Sequence, residues 1–276
     1  MIHGQLIMAA SALCYVQLAG LLLFDAWIPP AWSLVAFLGT LGIYLLDSVR
    51  SADREDAISQ PVRAALFRKH RGLAVCAGLL SLLIGGGALL AVRPAPGSWC
   101  LVVLMGVLGM AYLLPVLPAS DRWHTLKDLS LVKPVMISLA WLLGAFVVAW
   151  DAAPPTSTAP WGCSLVFATS TGSILLLDSL WLDRRDRIAD LEFDHPTISS
   201  GLGDRGFLII RLVLWILPCW ILLLDSGFLI PLAGLMAGSL VLVLIEPDRL
   251  ASEAAQVVAA SLWRFTALLT VVLWLA

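Results

Sequence analysis

Asp183, Asp186 and Asp190 stand at i, i+3 and i+7, a spacing that gathers three carboxylates on one face of a continuous helix. They belong to the run LLDSLWLDRRDRIADLEFDHP over 176–196, which also carries Asp178, Glu192 and Asp194. A second acidic run, LLDSVRSADREDAISQP over 45–61, shares its opening LLDS and its closing proline. With one gap, Asp47, Asp53 and Asp56 align with Asp178, Asp183 and Asp186. Carboxylates held that close repel and raise one another's pKa unless a cation lies among them. Hard oxygen donors of this kind suit Mg2+, which keeps some of its waters and bridges one or two carboxylates to substrate phosphates. Complementary charges are present: Arg63, Arg68, Lys69 and Arg71 follow the first run, Arg185 lies inside the second, and Lys127 and Lys133 stand between them. Asp47, Asp53, Asp56, Asp183, Asp186 and Asp190 are therefore candidate metal ligands, with the basic residues as candidate holders of phosphate oxygens. A solvated helix extension knit by i, i+3 and i, i+4 ion pairs is the competing reading of DRRDRIAD, and the repeat counts against it.

The elements that position these residues are apolar helices. With 60% hydrophobic and 13% charged residues and a mean hydropathy of +0.94, the chain has too little polar surface for a water-facing fold. Lipid as solvent demands that every backbone amide be satisfied internally, and apolar runs near 20 residues without strict alternation imply helices rather than barrel strands. The runs between charge clusters predict nine spans, near 5–24, 31–49, 73–92, 98–118, 132–150, 161–181, 208–224, 227–245 and 255–275, in a single transmembrane domain. Arg264 falls inside the ninth, where snorkelling or a later helix start would accommodate it. The opening MIHGQ has no Lys or Arg, so the first span reads as a retained helix rather than a secretory leader.

Charge distribution sets an expected orientation. Of the 17 Lys and Arg, all but Arg93 and Arg264 lie in or beside the loops 50–72, 119–131, 182–207 and 246–254, which nine spans place on one side with the N-terminus. Positive-inside bias makes that side cytoplasmic, of a bacterial-type plasma membrane. Of the 19 Asp and Glu, all but Asp25, Asp151 and Asp225 share it, an excess the rule does not explain. Trp27, Trp32, Trp99, Trp150 and Trp161 fall at the opposite ends of spans, as an aromatic belt would. A net charge of −2 predicts no nucleic-acid partner. The five cysteines, Cys14, Cys76, Cys100, Cys163 and Cys219, lie in apolar spans without a CxxC pair, which reads as buried, inert thiols. Gly234 and Gly238 form a GxxxG suited to close helix packing.

Over most of its length the chain resembles the UbiA superfamily of intramembrane prenyltransferases. DRRDRIADLEFDHPTI, from Asp183 to Ile198, is similar to the family pattern DxRDxxGDxxxGxxTL, with Asp183, Arg185, Asp186, Asp190 and Thr197 in register. The stretch from Ala111 to Gly144 looks like the family's tyrosine-bearing fourth helix, lysine loop and fifth helix. DAISQPVR, from Asp56 to Arg63, matches the tail of the family's first motif, whereas Ile43 stands where an Asn is usual and Ser51 at the usual second Asp spacing.

The resemblance implies an all-α, pseudo-duplicated bundle in which an allylic isoprenyl diphosphate ionises and its prenyl group passes to a hydrophobic or aromatic acceptor within the membrane. By that likeness Asp47, Asp56, Asp186 and Asp190 hold Mg2+ against the diphosphate, and Arg63, Lys69, Lys127, Lys133 and Arg185 share the leaving-group charge. Tyr44, Tyr112 and Trp181 are the aromatic candidates for shielding a carbocation. Two other functions fit the same residues: a membrane terpene cyclase using the same ionisation, and a catalytically degenerate binder of a lipid phosphate or divalent ion.

Overall fold

The structure, a computed structural model, describes residues 2–53, 55–114, 117–118, 123–124, 132–153, 161–192, 198–222, 229–250 and 252–276. It is an α-helical bundle. In chain order the helices are α1 (Ile2–Phe24), α2 (Pro30–Ser51), α3 (Glu55–Ser59), α4 (Pro61–Lys69), α5 (Arg71–Val92), α6 (Pro96–Leu113), α7 (Val132–Ala152), α8 (Trp161–Arg185), α9 (Arg187–Glu192), α10 (Ile198–Gly201), α11 (Asp204–Leu222), α12 (Leu229–Leu244) and α13 (Glu253–Leu275). The one extended pairing among the described residues is a two-residue antiparallel contact, Leu117–Pro118 with Trp123–His124.

Among the described residues six helices are long and apolar enough to cross a membrane: Gly4–Phe24, Pro30–Ser51, Arg71–Val92, Lys133–Ala152, Trp161–Arg185 and Ala255–Leu275. The three other predicted spans fall on α6 and α12, which are shorter, and on α11, whose first turns carry Asp204, Arg205 and Arg211. Proline at the first helical positions starts α2, α4 and α6, where its missing N–H removes nothing from the helix ladder. The start of α6 is also tied to the end of α7, because the Asp151 carboxylate accepts from Ala95 N at 3.0 Å and Ser98 Oγ at 2.8 Å. Between α1 and α2 the chain reverses against its own helix. The buried Gln17 amide accepts from Ile28 N (2.9 Å) and donates to Ile28 O (3.0 Å), satisfying backbone groups that lipid could not.

The main core gathers α1, α7, α8, α12 and α13 around Tyr15, Phe167, Trp181 and Trp263, and a smaller cluster of Leu45, Val49, Ala52, Ala64 and Phe67 joins α2 to α4 and α5. Glycines allow two of the closest helix contacts. A Cβ on Gly42 would meet Gly78 O on α5 at 2.9 Å, and one on Gly238 would meet the Trp263 Cα on α13 at 2.6 Å. Thr266 uses the room at the second contact to donate to Gly234 O at 3.1 Å across the helices. Because the obstacle at Gly238 is backbone, Gly238→Val is expected to destabilise the protein by about 1–3 kcal/mol, read as an earlier thermal midpoint in detergent.

Several expectations are corrected. Trp32 is buried in the core, while Trp27, Trp150 and Trp161 are exposed as a belt requires. Cys76 and Cys100 are exposed on the apolar surfaces of α5 and α6, so not all the thiols are buried. Trp181 is wholly buried, its indole donating to Ile245 O at 2.7 Å, which makes it a pin between α8 and the end of α12 rather than a cation shield. Arg211 clamps the same end by donating to Leu242 O (3.2 Å) and Ile245 O (3.3 Å) and pairing with Glu246. Arg184 and Arg211 flank the Phe207 ring, each 5.0 Å from its centroid.

The two acidic runs have the same local plan. After α2 come two short helices, α3 and α4, then the long α5; after α8 come α9 and α10, then the long α11. In each case the flanking long helices pack on one another.

Candidate functional site

The two acidic segments meet, because the short helix α3 packs on the short helix α9. Asp56 lies in α3 and is buried. Its Oδ2 is 3.4 Å from Arg63 Nε, and Arg63 is itself buried over the Phe67 ring. A polar chain fixes that guanidinium: Nη2 donates to Ser48 Oγ (2.7 Å) and Nη1 to Gln60 Oε1 (2.9 Å). Ser48 Oγ also accepts from Gln5 Nε2 (3.0 Å) and donates to Tyr44 O (2.6 Å), so α1 and α2 both hold the residue that holds Asp56. Gln5, Ser48 and Gln60 were invisible as site residues in the sequence. The Ser of the repeated LLDS was the one available signal.

On the other side, α8 ends at Arg185 and α9 begins at Arg187, with Asp186 in the turn between them. Asp186 N bonds Asp183 O at 3.1 Å, an i to i−3 closure that stops the helix. The continuous face over Asp183, Asp186 and Asp190 is therefore broken, and the first two carboxylates diverge. Asp183 turns to Lys133 at 3.1 Å, bringing in α7. Asp186 takes a two-pronged contact from Arg185, Nε to Oδ1 at 3.0 Å and Nη2 to Oδ2 at 3.1 Å. The Ser59 hydroxyl of α3 donates to the same carboxylate.

The remaining candidates divide. Asp47, half-buried on the last turns of α2, lies within electrostatic reach of Asp56. Asp53 is half-exposed and pairs with Arg71 at 3.0 Å, outside the buried group. Lys69 is exposed on the last turn of α4. Tyr112 is half-buried near the end of α6, its carbonyl accepting from Arg50 at 3.4 Å. Lys127 lies outside the described residues, as does the side chain of Asp190.

Electrostatics shows that the segments form one unit. Burial, with Asp186 and Asp47 adding to it against the pull of Arg63, pushes Asp56 up from 3.8 to about 6. Burial would also raise Asp186, but Arg185, Lys133 and the donors from Arg185 and Ser59 outweigh it and hold the carboxyl well below its usual range. Among the described residues no three His, Cys, Asp or Glu side chains enclose a cation by themselves. What the described residues bring together is a pair of carboxylates, Asp56 and Asp186, in each other's field, with Arg63, Arg185 and Lys133 around them.

A pH dependence follows from Asp56. Its raised folded-state pKa gives stability that is full below 3.8 and lost as pH rises through about 6, so this group favours the cation-free fold in acid. A divalent cation held by Asp56 would need its carboxylate, so any such affinity, probed with Mg2+, is expected to rise with pH up to about 6 and then level off. Below that value the loss should be about tenfold per unit at most, measured by titration calorimetry between pH 5 and pH 7.5.

Comparison with protein-family models and with curated proteins gives no match to this chain.

Proposed function

We propose that the protein is a Mg2+-dependent prenyltransferase of UbiA type, moving an isoprenyl group from a polyprenyl diphosphate to a hydrophobic or aromatic acceptor in the membrane. The observation that carries this reading is the α3–α9 contact, which puts Asp56 and Asp186, 130 residues apart in sequence, into one buried charge cluster. In this reading all nine apolar helices cross the bilayer as a pseudo-duplicated bundle, the matching helix–short–short–helix plans of the two halves being its structural counterpart. The acidic end and the N-terminus face the cytoplasm, in keeping with the placement of Lys and Arg.

Asp56 and Asp186, with Asp47 and Asp190, would hold Mg2+, which when bound neutralises charge building on a leaving diphosphate. The chain's own residues supply the rest. In this structure Arg63, Arg185 and Lys133 are paired with Asp56, Asp186 and Asp183. Were these carboxylates to hold a cation, Arg63, Arg185 and Lys133 would be freed to meet phosphate oxygens. Binding therefore exchanges one set of ion pairs for another instead of adding uncompensated charge to a buried site. Arg63 and Arg185 present planar forks suited to phosphate, whereas Lys133 acts as a point charge. Tyr44, one turn before Asp47 on α2, is the residue this reading assigns to shield a cation left behind by the departing diphosphate.

The test is diphosphate release from a series of isoprenyl diphosphates by the purified protein in lipid nanodiscs, with and without Mg2+ and with aromatic acceptors. Mg2+-dependent release that rises with an acceptor supports the proposal. A cyclic hydrocarbon formed without any acceptor would move the reading to a cyclase, and binding without release at every chain length would exclude an enzyme.

A further inference from the structure

The two copies of LLDS use their aspartates differently, and what they share is the serine. Asp178 of the second copy, on α8, is closed in an ion pair with Arg264 of α13, both buried, at 2.6 Å between Oδ2 and Nη2. Asp47 of the first lies within electrostatic reach of Asp56. Each serine is buried and ties its helix to the long helix before it, Ser48 to Gln5 of α1 and Ser179 to Ser138 of α7 at 3.2 Å. Each tie also leads to a basic residue of the site. Ser138 donates to Pro134 O at 2.7 Å, beside the Lys133 that pairs with Asp183, whereas Ser48 meets Arg63 directly.

Ser48 is wholly buried and its hydroxyl is saturated. A hydroxyl has one proton and two lone pairs. The proton goes to Tyr44 O at 2.6 Å, so both lone pairs accept, one from Arg63 Nη2 at 2.7 Å and the other from Gln5 Nε2 at 3.0 Å. That polarity is forced, because neither a guanidinium nor an amide nitrogen can accept. Residues of α1, α2 and α4 are thereby joined at one oxygen, and Gln60 Oε1 steadies the guanidinium at a second nitrogen, 2.9 Å from Nη1. Gln5 is buried for this bond. Its own Oε1 has no hydrogen-bond partner among the described residues, so the contact with Ser48 is what the amide contributes there.

We infer that Ser48, anchored by Gln5, is a positioning residue for diphosphate binding, which keeps Arg63 at the acidic centre when Asp56 leaves the guanidinium for a cation. The inference rests on the diphosphate reading of the acidic site. An arginine held by Asp56 alone would swing away once that carboxylate turned to Mg2+, and would have to be ordered again before it met a phosphate. Held by Ser48 and Gln60, the guanidinium keeps its place and exchanges a carboxylate for a phosphate oxygen without reorganisation. Two tasks are thus separated. Asp56 balances the charge of Arg63 in the cation-free fold, and Ser48 sets where that charge lies in both states.

The test is titration calorimetry of inorganic pyrophosphate with Mg2+ on the full-length protein in nanodiscs, arranged as a double-mutant cycle between positions 48 and 63. The unaltered protein should bind pyrophosphate when Mg2+ is present. Ser48→Ala should weaken that binding about tenfold to a hundredfold, and Gln5→Met should weaken it less. In an Arg63→Met background neither substitution should change the remaining affinity by more than about twofold, because their effect passes through the arginine. A merely structural role would lower affinity by the same factor in both backgrounds. That additive result, or a Ser48→Ala protein that binds like its parent, overturns the positioning role and leaves the diphosphate reading standing. An unaltered protein that binds no pyrophosphate with Mg2+ overturns both. Where Arg63→Met leaves no measurable binding, Ser48→Thr decides: it puts the oxygen back and should recover most of the loss seen in Ser48→Ala, and no recovery overturns the role. Should Ser48→Ala not fold, Gln5→Met supplies the same cycle, since it replaces an amide with an unpaired buried oxygen by an apolar side chain of similar length.

Discussion

Asp186→Asn is expected to lower Mg2+-dependent diphosphate release by about a hundredfold to a thousandfold, and also to lower the thermal midpoint, because it removes a mostly buried carboxylate that Arg185 and Ser59 hold in its charged form. The Asp186 carboxylate is held in its charged form, lying against the Arg185 fork at 3.0 and 3.1 Å and accepting from Ser59. An amide of the same shape still fits the turn between α8 and α9 and still accepts one bond from Arg185. It no longer supplies an anionic oxygen to a divalent cation, nor the negative field that helps keep Asp56 protonated up to about 6. The loss should therefore appear in turnover and in Mg2+ affinity together, and the pKa of Asp56 should fall. Release at the parent rate in a correctly folded Asp186→Asn protein would remove this carboxylate from the proposed chemistry.

The largest effect on stability is expected from Arg264→Met. Removing one partner of a buried pair leaves the other uncompensated, at a cost of about 3–5 kcal/mol. Here the stranded group would be Asp178, buried among the residues of the main core. Replacing both partners, as Asp178→Leu/Arg264→Met, should return the stability to within about 1 kcal/mol of the parent or raise it. The four proteins form a cycle whose coupling energy can be read from unfolding in a graded detergent mixture. A single variant as stable as the parent would show that Asp178 is protonated in the intact protein and that the contact with Arg264 is not an ion pair.

The helical character, six of the nine predicted spans and the meeting of the acidic runs were legible in the sequence, and each had a physical cause visible there. Unbroken apolar runs leave helices as the way to satisfy the backbone in lipid, and the repeated LLDS marked two equivalent helix ends. The division of labour inside the site was not legible. Spacing alone put Asp183, Asp186 and Asp190 on one face, but the 3.1 Å closure from Asp186 N to Asp183 O ends the helix between the first two. Asp53 had the same motif standing as Asp56, yet one pairs in the open with Arg71 and the other is buried against Arg63. That difference depends on how α3 turns after α2, a tertiary matter that no local pattern records. Arg264 could be placed within its span, and Asp178 within the repeated LLDS, but nothing in the sequence paired two residues 86 apart on different helices.

The contact between α13 and α8 also has a bearing on biogenesis. Segments emerge from the ribosome and enter the bilayer in order, and Arg264 is synthesised 86 residues after Asp178. In that interval α8 can pack against α1 and α7, made before it, and against α11 and α12, made after it, but Asp178 has not yet met Arg264. A chain that stops before α13 thus leaves an acid in an apolar helix without the partner that neutralises it, and the pair closes only when the last helix docks.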